Sequence, residues 1–149
     1  MEKINVKIKK LHEDAVIPTY GTDGAAGFDF YALEDTTLSP GQTKLIKTGI
    51  AMAIPQGYEI QVRPRSGMSL KTTFRVANAP GTIDSDYRGE CCVIGHNLAD
   101  GKLRNVYIKK GDRIAQGVLS KVPQANFQVV KELDDTDRGS GGFGSTDSK

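Results

Sequence analysis

Three observations on the 149 residues predict an all-β fold, a sandwich or barrel, with one short helix. Apolar residues recur at a period of two in short runs, turn-forming Gly, Pro and Asp punctuate these runs at close spacing, and a single stretch suits a helix. Ile4, Val6 and Ile8 alternate with Lys7 and Lys9 in an opening strand, and Phe28 to Leu33 is the next candidate. Ser39-Pro40-Gly41-Gln42 is a turn, after which Lys44 to Ile54 is extended until Pro55-Gln56-Gly57 stops it. Tyr58, Ile60 and Val62 alternate with Glu59, Gln61 and Arg63. The spacing predicts the helix over Ser66–Thr73, with Ser66 as its cap. Later strands are predicted at Glu90–Leu98, Asn105–Lys109, Arg113–Val122 and Phe127–Val130, with turns at Asp100-Gly101 and Lys110-Gly111-Asp112.

The length suits one domain with a substantial core. A formal net charge of +2 gives no broad field for nucleic acid or an anionic membrane, so a bound anion needs a local arrangement of groups. No apolar run approaches the roughly 20 residues of a membrane span, and Met1-Glu2-Lys3 leads directly into strand pattern; a soluble, cytoplasmic protein is expected. Cys91 and Cys92 are neighbours on a strand and point to opposite faces, which disfavours a disulfide between them. Only His12 and His96 are on offer as further zinc ligands, and they lie far apart. Reduced thiols without nucleophilic chemistry are the simplest reading.

Residues 81–90, Gly-Thr-Ile-Asp-Ser-Asp-Tyr-Arg-Gly-Glu, are the most informative stretch. Gly81 and Gly89 permit a tight hairpin whose backbone approaches a ligand closely. Asp84 beside Tyr87 places a carboxylate able to activate water next to a ring able to pack on a flat or sugar-like group. In Pro64-Arg65-Ser66-Gly67 a guanidinium, a hydroxyl and helix N-terminal N–H groups come together, an arrangement suited to phosphate. Gly111 to Gly117 places Gln116, an uncharged donor, on a strand near glycine. Residues 1–133 form the expected core, whereas in 134–149 the only large apolar residue is Phe143 and four of the sixteen residues are glycine. Such a segment cannot offset its own ordering entropy and is expected to be mobile alone. Its Gly-Ser-Gly-Gly-Phe-Gly string satisfies a dinucleotide motif formally but lacks the helix that must follow. A better reading is an arm that orders on a ligand: glycine N–H groups line a phosphate, Arg138 forks onto it and Phe143 stacks on a base. Each segment alone is also explained by an ordinary turn, helix start or tail.

Together the five segments Ala25–Ala32, Pro64–Gly67, Asn78–Glu90, Gly111–Gly117 and Arg138–Thr146 resemble, in order and spacing, the trimeric deoxyuridine triphosphatases. The resemblance covers about residues 24–146 and implies a jelly-roll-like β-barrel, a homotrimer with three shared active sites, and an arm closing over a neighbouring subunit's site. It implies hydrolysis of dUTP to dUMP and pyrophosphate with Mg2+, which limits uracil incorporation into DNA and supplies dUMP. By the same resemblance, Asp84 orients and deprotonates the attacking water, and Tyr87 packs on deoxyribose and excludes a 2′-hydroxyl. Asn78, with backbone at Thr82, Ile83, Asp84 and Cys92, reads uracil. Arg65, Ser66, Gly67 and Gln116 hold the phosphates, and Asp29 supports the magnesium through its waters. Arg138, Phe143, Gly144, Ser145 and Thr146 belong to the covering arm. Asp86 stands where relatives vary and takes no chemistry. Phe28 and Phe30 stand where relatives often carry Tyr and Leu. A dCTP deaminase on the same fold would attack the base; the complete Tyr87 hairpin and the arm favour the phosphatase. A sensor that binds without turnover and a purely structural jelly-roll subunit are the rivals from other classes.

Overall fold

The computed structural model describes residues 1–146. Ten strands and one helix follow in the order β1 Lys7–Lys10, β2 Phe28–Tyr31, β3 Thr36–Leu38, β4 Thr43–Ala53, β5 Tyr58–Arg63, α1 Ser66–Lys71, β6 Phe74–Val76, β7 Gly81–Ile83, β8 Glu90–Asn97, β9 Val106–Ile108 and β10 Arg113–Lys121. Two four-stranded antiparallel sheets, ordered β1-β4-β8-β6 and β2-β10-β5-β7, and a β3-β9 pair enclose the core. Neighbours in space are seldom neighbours in sequence, the mark of a jelly-roll-like all-β fold.

Alternation dictates which side chains fill the interior. In β8 the odd positions Cys91, Val93, Gly95 and Asn97 are buried and the even ones half-buried, so the two thiols do face opposite sides of the sheet. Phe30, Leu38, Ile46, Ile50, Ile60, Phe74, Val93 and Ile114 carry most of the apolar packing, each at most 2% exposed. Burying an aliphatic or aromatic side chain of this size contributes about 1.5–3 kcal/mol. Among the described residues two polar ones are buried, Thr48 and Asn97, and Asn97 is fully enclosed yet satisfied. Its Nδ2 donates to the carbonyls of Leu38 and Arg104, and its Oδ1 accepts from Thr73 Oγ1 at 2.6 Å. It thereby ties β3, β6 and the loop before β9 to the end of β8.

The predicted turns form as their residues require. Gln42 N–H donates to the Ser39 carbonyl at 3.0 Å, and Gly41 takes φ +77°, the conformation glycine adopts without strain. Several expected elements are corrected. The opening strand enters the ladder only at Lys7, although Ile4, Val6 and Ile8 do share one apolar hollow with Met52 and Ile60. β2 ends at Tyr31 rather than Leu33. The helix stops at Lys71 rather than Thr73; Arg65 occupies its N-cap position and makes no side-chain cap bond, so Ser66 is the first helical residue and not the cap. No strand forms at Phe127–Val130. Phe127 is 90% and Val129 100% exposed, because no sheet edge of this chain reaches them. β3 and β6, three residues each, are additions, and β7 is a strand paired with β5 rather than one arm of a local hairpin.

Gly95 sits where a Cβ would come within 2.6 Å of Phe74 Cε2 and 2.7 Å of Ile46 Cδ1. Gly95→Ala is therefore expected to lower the free energy of unfolding by about 1–3 kcal/mol through overpacking, read from urea denaturation; an unchanged midpoint would contradict it.

Candidate functional site

Two groups of side chains stand out, both positioned by β5. Residues Val62 and Gln61 pair with Gly81 and Thr82 of β7, while Arg63 pairs with Gln116 of β10. Beyond Ile83 the chain leaves this sheet and enters the other at Glu90. The crossing is closed by a turn in which Tyr87 N–H donates to the Asp84 carbonyl at 3.2 Å. Beneath it lies a cleft of about 240 Å³ lined by Leu45, Val62, Asn78, Gly81, Thr82, Ile83, Asp84, Tyr87, Glu90, Cys91, Cys92 and Ile94. All six residues expected to grip base and sugar, Asp84 among them, thus meet in one cavity.

Close approach, not left-handed backbone, explains the two glycines of this segment. A Cβ on Gly81 would lie 3.1 Å from Asn78 Nδ2 and 3.2 Å from Val62 Cβ, and one on Gly89 would overlap the Tyr87 ring. The ring folds back over Gly89, and its hydroxyl donates to the Glu90 carbonyl at 2.9 Å. Asp84 is exposed and also borders a larger hollow of about 830 Å³ beyond the turn, with Gln56, Glu59, Asp86, Arg88 and Gln124. That hollow sets three carboxylates against one arginine, so the smaller cleft, with mixed apolar walls and main-chain groups, is the better ligand site.

The second group is built by register. Gln116 stands opposite Asp29 of β2 on one side and Arg63 of β5 on the other. Asp29 Oδ1 lies 3.4 Å from Arg65 Nε and its Oδ2 3.6 Å from Arg113 Nη1. Arg65 Nη1 also donates to the Arg113 carbonyl at 3.2 Å, and Gln116 Nε2 to the Pro64 carbonyl at 3.0 Å. A Cβ on Gly27 would come within 2.5 Å of Gln116 Oε1, so glycine there leaves the amide its place. Ser66 and Gly67 begin α1 directly behind Arg65. Half-exposed pairs of this kind contribute under about 1 kcal/mol each; their value lies in holding guanidinium groups in fixed positions. Sequence reasoning passed over Arg113 although the segment containing it was singled out, because only the β2–β10 register shows its closeness to Asp29.

The arm residues stand apart from both groups. Arg138 Nε donates to the Gly141 carbonyl at 2.8 Å, Phe143 is fully exposed, and Arg138, Phe143, Gly144, Ser145 and Thr146 do not line the cleft. Among the described residues, no cluster of three or more His, Cys, Asp or Glu is placed to hold a metal, and no helix is long and apolar enough to cross a membrane.

A family model for dUTPase matches residues 13–147. This chain belongs to the dUTPase family. With that membership it is a hydrolase of the dUTP diphosphatase class. The deoxyuridine 5'-triphosphate nucleotidohydrolase of Nautilia profundicola is 52% identical over 143 residues, spanning 96% of this chain and 99% of that protein. The Helicobacter pylori (strain P12) protein of the same name is 49% identical over 143 residues, spanning 96% and 97%. Among solved structures, the Staphylococcus bacteriophage 80alpha dUTPase with dUPNHPP superposes with a TM-score of 0.88 at 28% identity, covering 96% of this chain and 98% of that one. A dUTPase variant of phage phi11 of S. aureus, described with a structural Mg(II) ion, gives a TM-score of 0.80 at 26% identity, covering 87% and 99%.

The cleft carries both cysteines, and burial pushes each thiol from the usual 9.0 up to about 11; neighbouring Cys92 and Glu90 add to the effect at Cys91, and Glu90 does so at Cys92. A raised acid pKa means that the folded state holds these protons more tightly than the unfolded chain. Their contribution to stability is complete below pH 9 and disappears as pH climbs from 9 to about 11. Alkylation by iodoacetamide at pH 7.5 is expected to be far slower than for a free thiol and to accelerate up to about pH 11, followed by intact mass. Rapid labelling at pH 7.5 would contradict this environment.

Proposed function

We propose that this dUTPase-family chain converts dUTP to dUMP and pyrophosphate, with water attacking the innermost phosphorus. The observation that carries the reading is the convergence of Asn78, Thr82, Ile83, Asp84, Tyr87 and Cys92 on one cleft in a chain of this family. Main-chain donors and acceptors of β7 and β8 read the uracil edge; cytosine presents the wrong hydrogen-bond pattern there, and thymine is too bulky. Tyr87 lies along the sugar and leaves no room for a 2′-hydroxyl. Asp84, at the rim, aligns a water and accepts its proton as the new P–O bond forms and the bond from that phosphorus to the bridging oxygen breaks. The pair of electrons leaves with pyrophosphate.

Such a displacement depends more on charge neutralisation and alignment than on a strong base. The phosphates are held by Arg65, Ser66, Gly67 and Gln116, and Arg138 joins them when the arm closes with Phe143, Gly144, Ser145 and Thr146. Phe143 stacking on the base contributes about 1–3 kcal/mol, as base–aromatic contacts do. The residues suit Mg2+ carried in on the triphosphate: Asp29 is a single carboxylate between two arginines, able to receive hydrogen bonds from metal-bound water but too solitary to form a cage. The ion neutralises charge on the phosphate oxygens when bound. Water exclusion by the closed arm strengthens each of these interactions.

A homotrimer sharing its sites is part of the proposal. Glu59, Asp84 and Asp86 face the attack side with only Arg88 against them, so the cations for a triphosphate must be brought by another copy. Exposed Phe127, Val129 and Leu133 are suited to cover by a neighbour. Residues 1–133 act as the core and 134–149 as the arm. A cytoplasmic enzyme of this kind limits uracil in DNA and supplies dUMP.

Asp84→Asn is expected to reduce turnover by roughly 10²–10⁴-fold or more while dUTP still binds, since the amide keeps the packing but takes no proton. Pyrophosphate release and calorimetric titration with a non-cleavable analogue check both halves; near-normal turnover would remove Asp84 from the mechanism. Truncation after Asp137 is expected to leave the oligomer and its melting temperature intact and to cripple turnover. Normal hydrolysis by that truncated chain would sink the arm. Assays over dUTP, dCTP, dTTP and UTP, with and without magnesium, test the substrate; ammonia release would favour the deaminase.

A further inference from the structure

Glu90 closes the crossing segment on its far side, and its carboxylate is used by neither the base nor the phosphates in the reading above. Between Lys47↔Cys92 and Ala51↔Glu90 the β4–β8 register slips, so that Thr48, Gly49 and Ile50 stand against Cys91 alone. Two hydrogen bonds pin this irregularity to β8. Gly49 N–H donates to Glu90 Oε2 at 2.9 Å, and the buried Thr48 hydroxyl donates to the Cys91 carbonyl. Gly49 itself has little freedom. Its φ is +73°, a Cβ there would be 2.9 Å from Ala15 Cβ and 3.0 Å from Leu33 Cδ1, and its carbonyl accepts from Leu11 N–H at 2.7 Å. The half-buried Glu90 side chain is therefore anchored on a rigid point of the core, and its own main-chain carbonyl is the acceptor for the Tyr87 hydroxyl.

We propose that Glu90 is the positioning residue for Tyr87: the Gly49–Glu90 hydrogen bond fixes the start of β8 so that the Tyr87 ring is held across the cleft where it discriminates deoxyribose from ribose. This rests on the dUTP reading of the same cleft. Freed from its anchor, the Glu90 carbonyl shifts, Tyr87 swings on its turn, and room opens for a 2′-hydroxyl. The attacking water, placed by Asp84 on the β7 side of the turn, is disturbed less.

The test compares wild type, Glu90→Ala, Glu90→Gln and Tyr87→Phe in steady-state pyrophosphate release from dUTP and UTP, with circular dichroism and sedimentation as checks on folding and assembly. For Glu90→Ala, KM for dUTP is expected to rise about tenfold with kcat within about twofold, and the dUTP:UTP ratio of kcat/KM to fall at least tenfold, as loss of ground-state positioning predicts. Glu90→Gln keeps an oxygen that accepts from Gly49 and is expected to restore the ratio to within about threefold of wild type. Tyr87→Phe removes the link from its other end and is expected to lower the ratio similarly; it decides the matter should the alanine variant fail to fold. An unchanged ratio in folded Glu90→Ala or in Tyr87→Phe, a fall in kcat alone, or a glutamine variant as impaired as alanine would overturn the proposal. Wild-type enzyme that does not prefer dUTP would instead overturn the function on which it stands.

Discussion

The passage of the chain from β7 in one sheet to β8 in the other is the constraint on which the site depends. A segment that changes sheets gives up its ladder partner, and the gap it spans cannot be closed by regular pairing. Here that gap is the cleft. Val62 and Gly81 form one wall because they are paired, Cys91 and Cys92 form the other because β8 starts there, and the turn from Asp84 to Tyr87 roofs the space between. Gly81 and Gly89 let the roof lie low, the first against Asn78 and Val62 and the second beneath the Tyr87 ring. The same connection sets Asp84 at the edge of the cavity, where it touches both the cleft and the larger acidic hollow.

Charge is segregated along the chain. The arginines cluster around Asp29, held at the far end of β10 by the Gln116 register, while the carboxylates gather around the turn. The aspartate between Arg65 and Arg113 offsets their mutual repulsion, which leaves two guanidinium groups aligned in advance for the triphosphate proposed above. Alignment in advance is what a transfer reaction with little covalent chemistry asks of its protein.

Elements with strong local patterning were legible in the sequence. β4, β5, β8, β9 and β10 lie within one or two residues of their predicted bounds, since each combines alternation with a Gly- or Pro-marked stop. β3 and β6 were not, because three residues show no period and their partners, β9 and β8, are distant in sequence. The apolar run Phe127–Val130 carries strand composition without a strand to pair with, and composition alone does not supply an edge. At the site, Asp84, Tyr87 and Asn78 were legible as a motif and converge on the cleft. Arg113 and Glu90 were not: the first matters through cross-strand register, the second through a slip in register at Thr48–Ile50, and neither leaves a trace in a single sequence.

Asn97 carries a practical consequence for anyone wishing to label this protein. By gripping the Leu38 and Arg104 carbonyls from the end of β8, it clamps the base of the loop between Leu98 and Arg104. The tip at Asp100–Leu103 is solvent-facing, with Leu103 96% exposed, and none of its residues lines the cleft. A short epitope or fluorophore-binding peptide spliced between Gly101 and Lys102 would part the exposed Lys102 N–H from Asp100 Oδ1 but leave the Asn97 clamp beneath, since exposed loop tips absorb added length at little entropic cost.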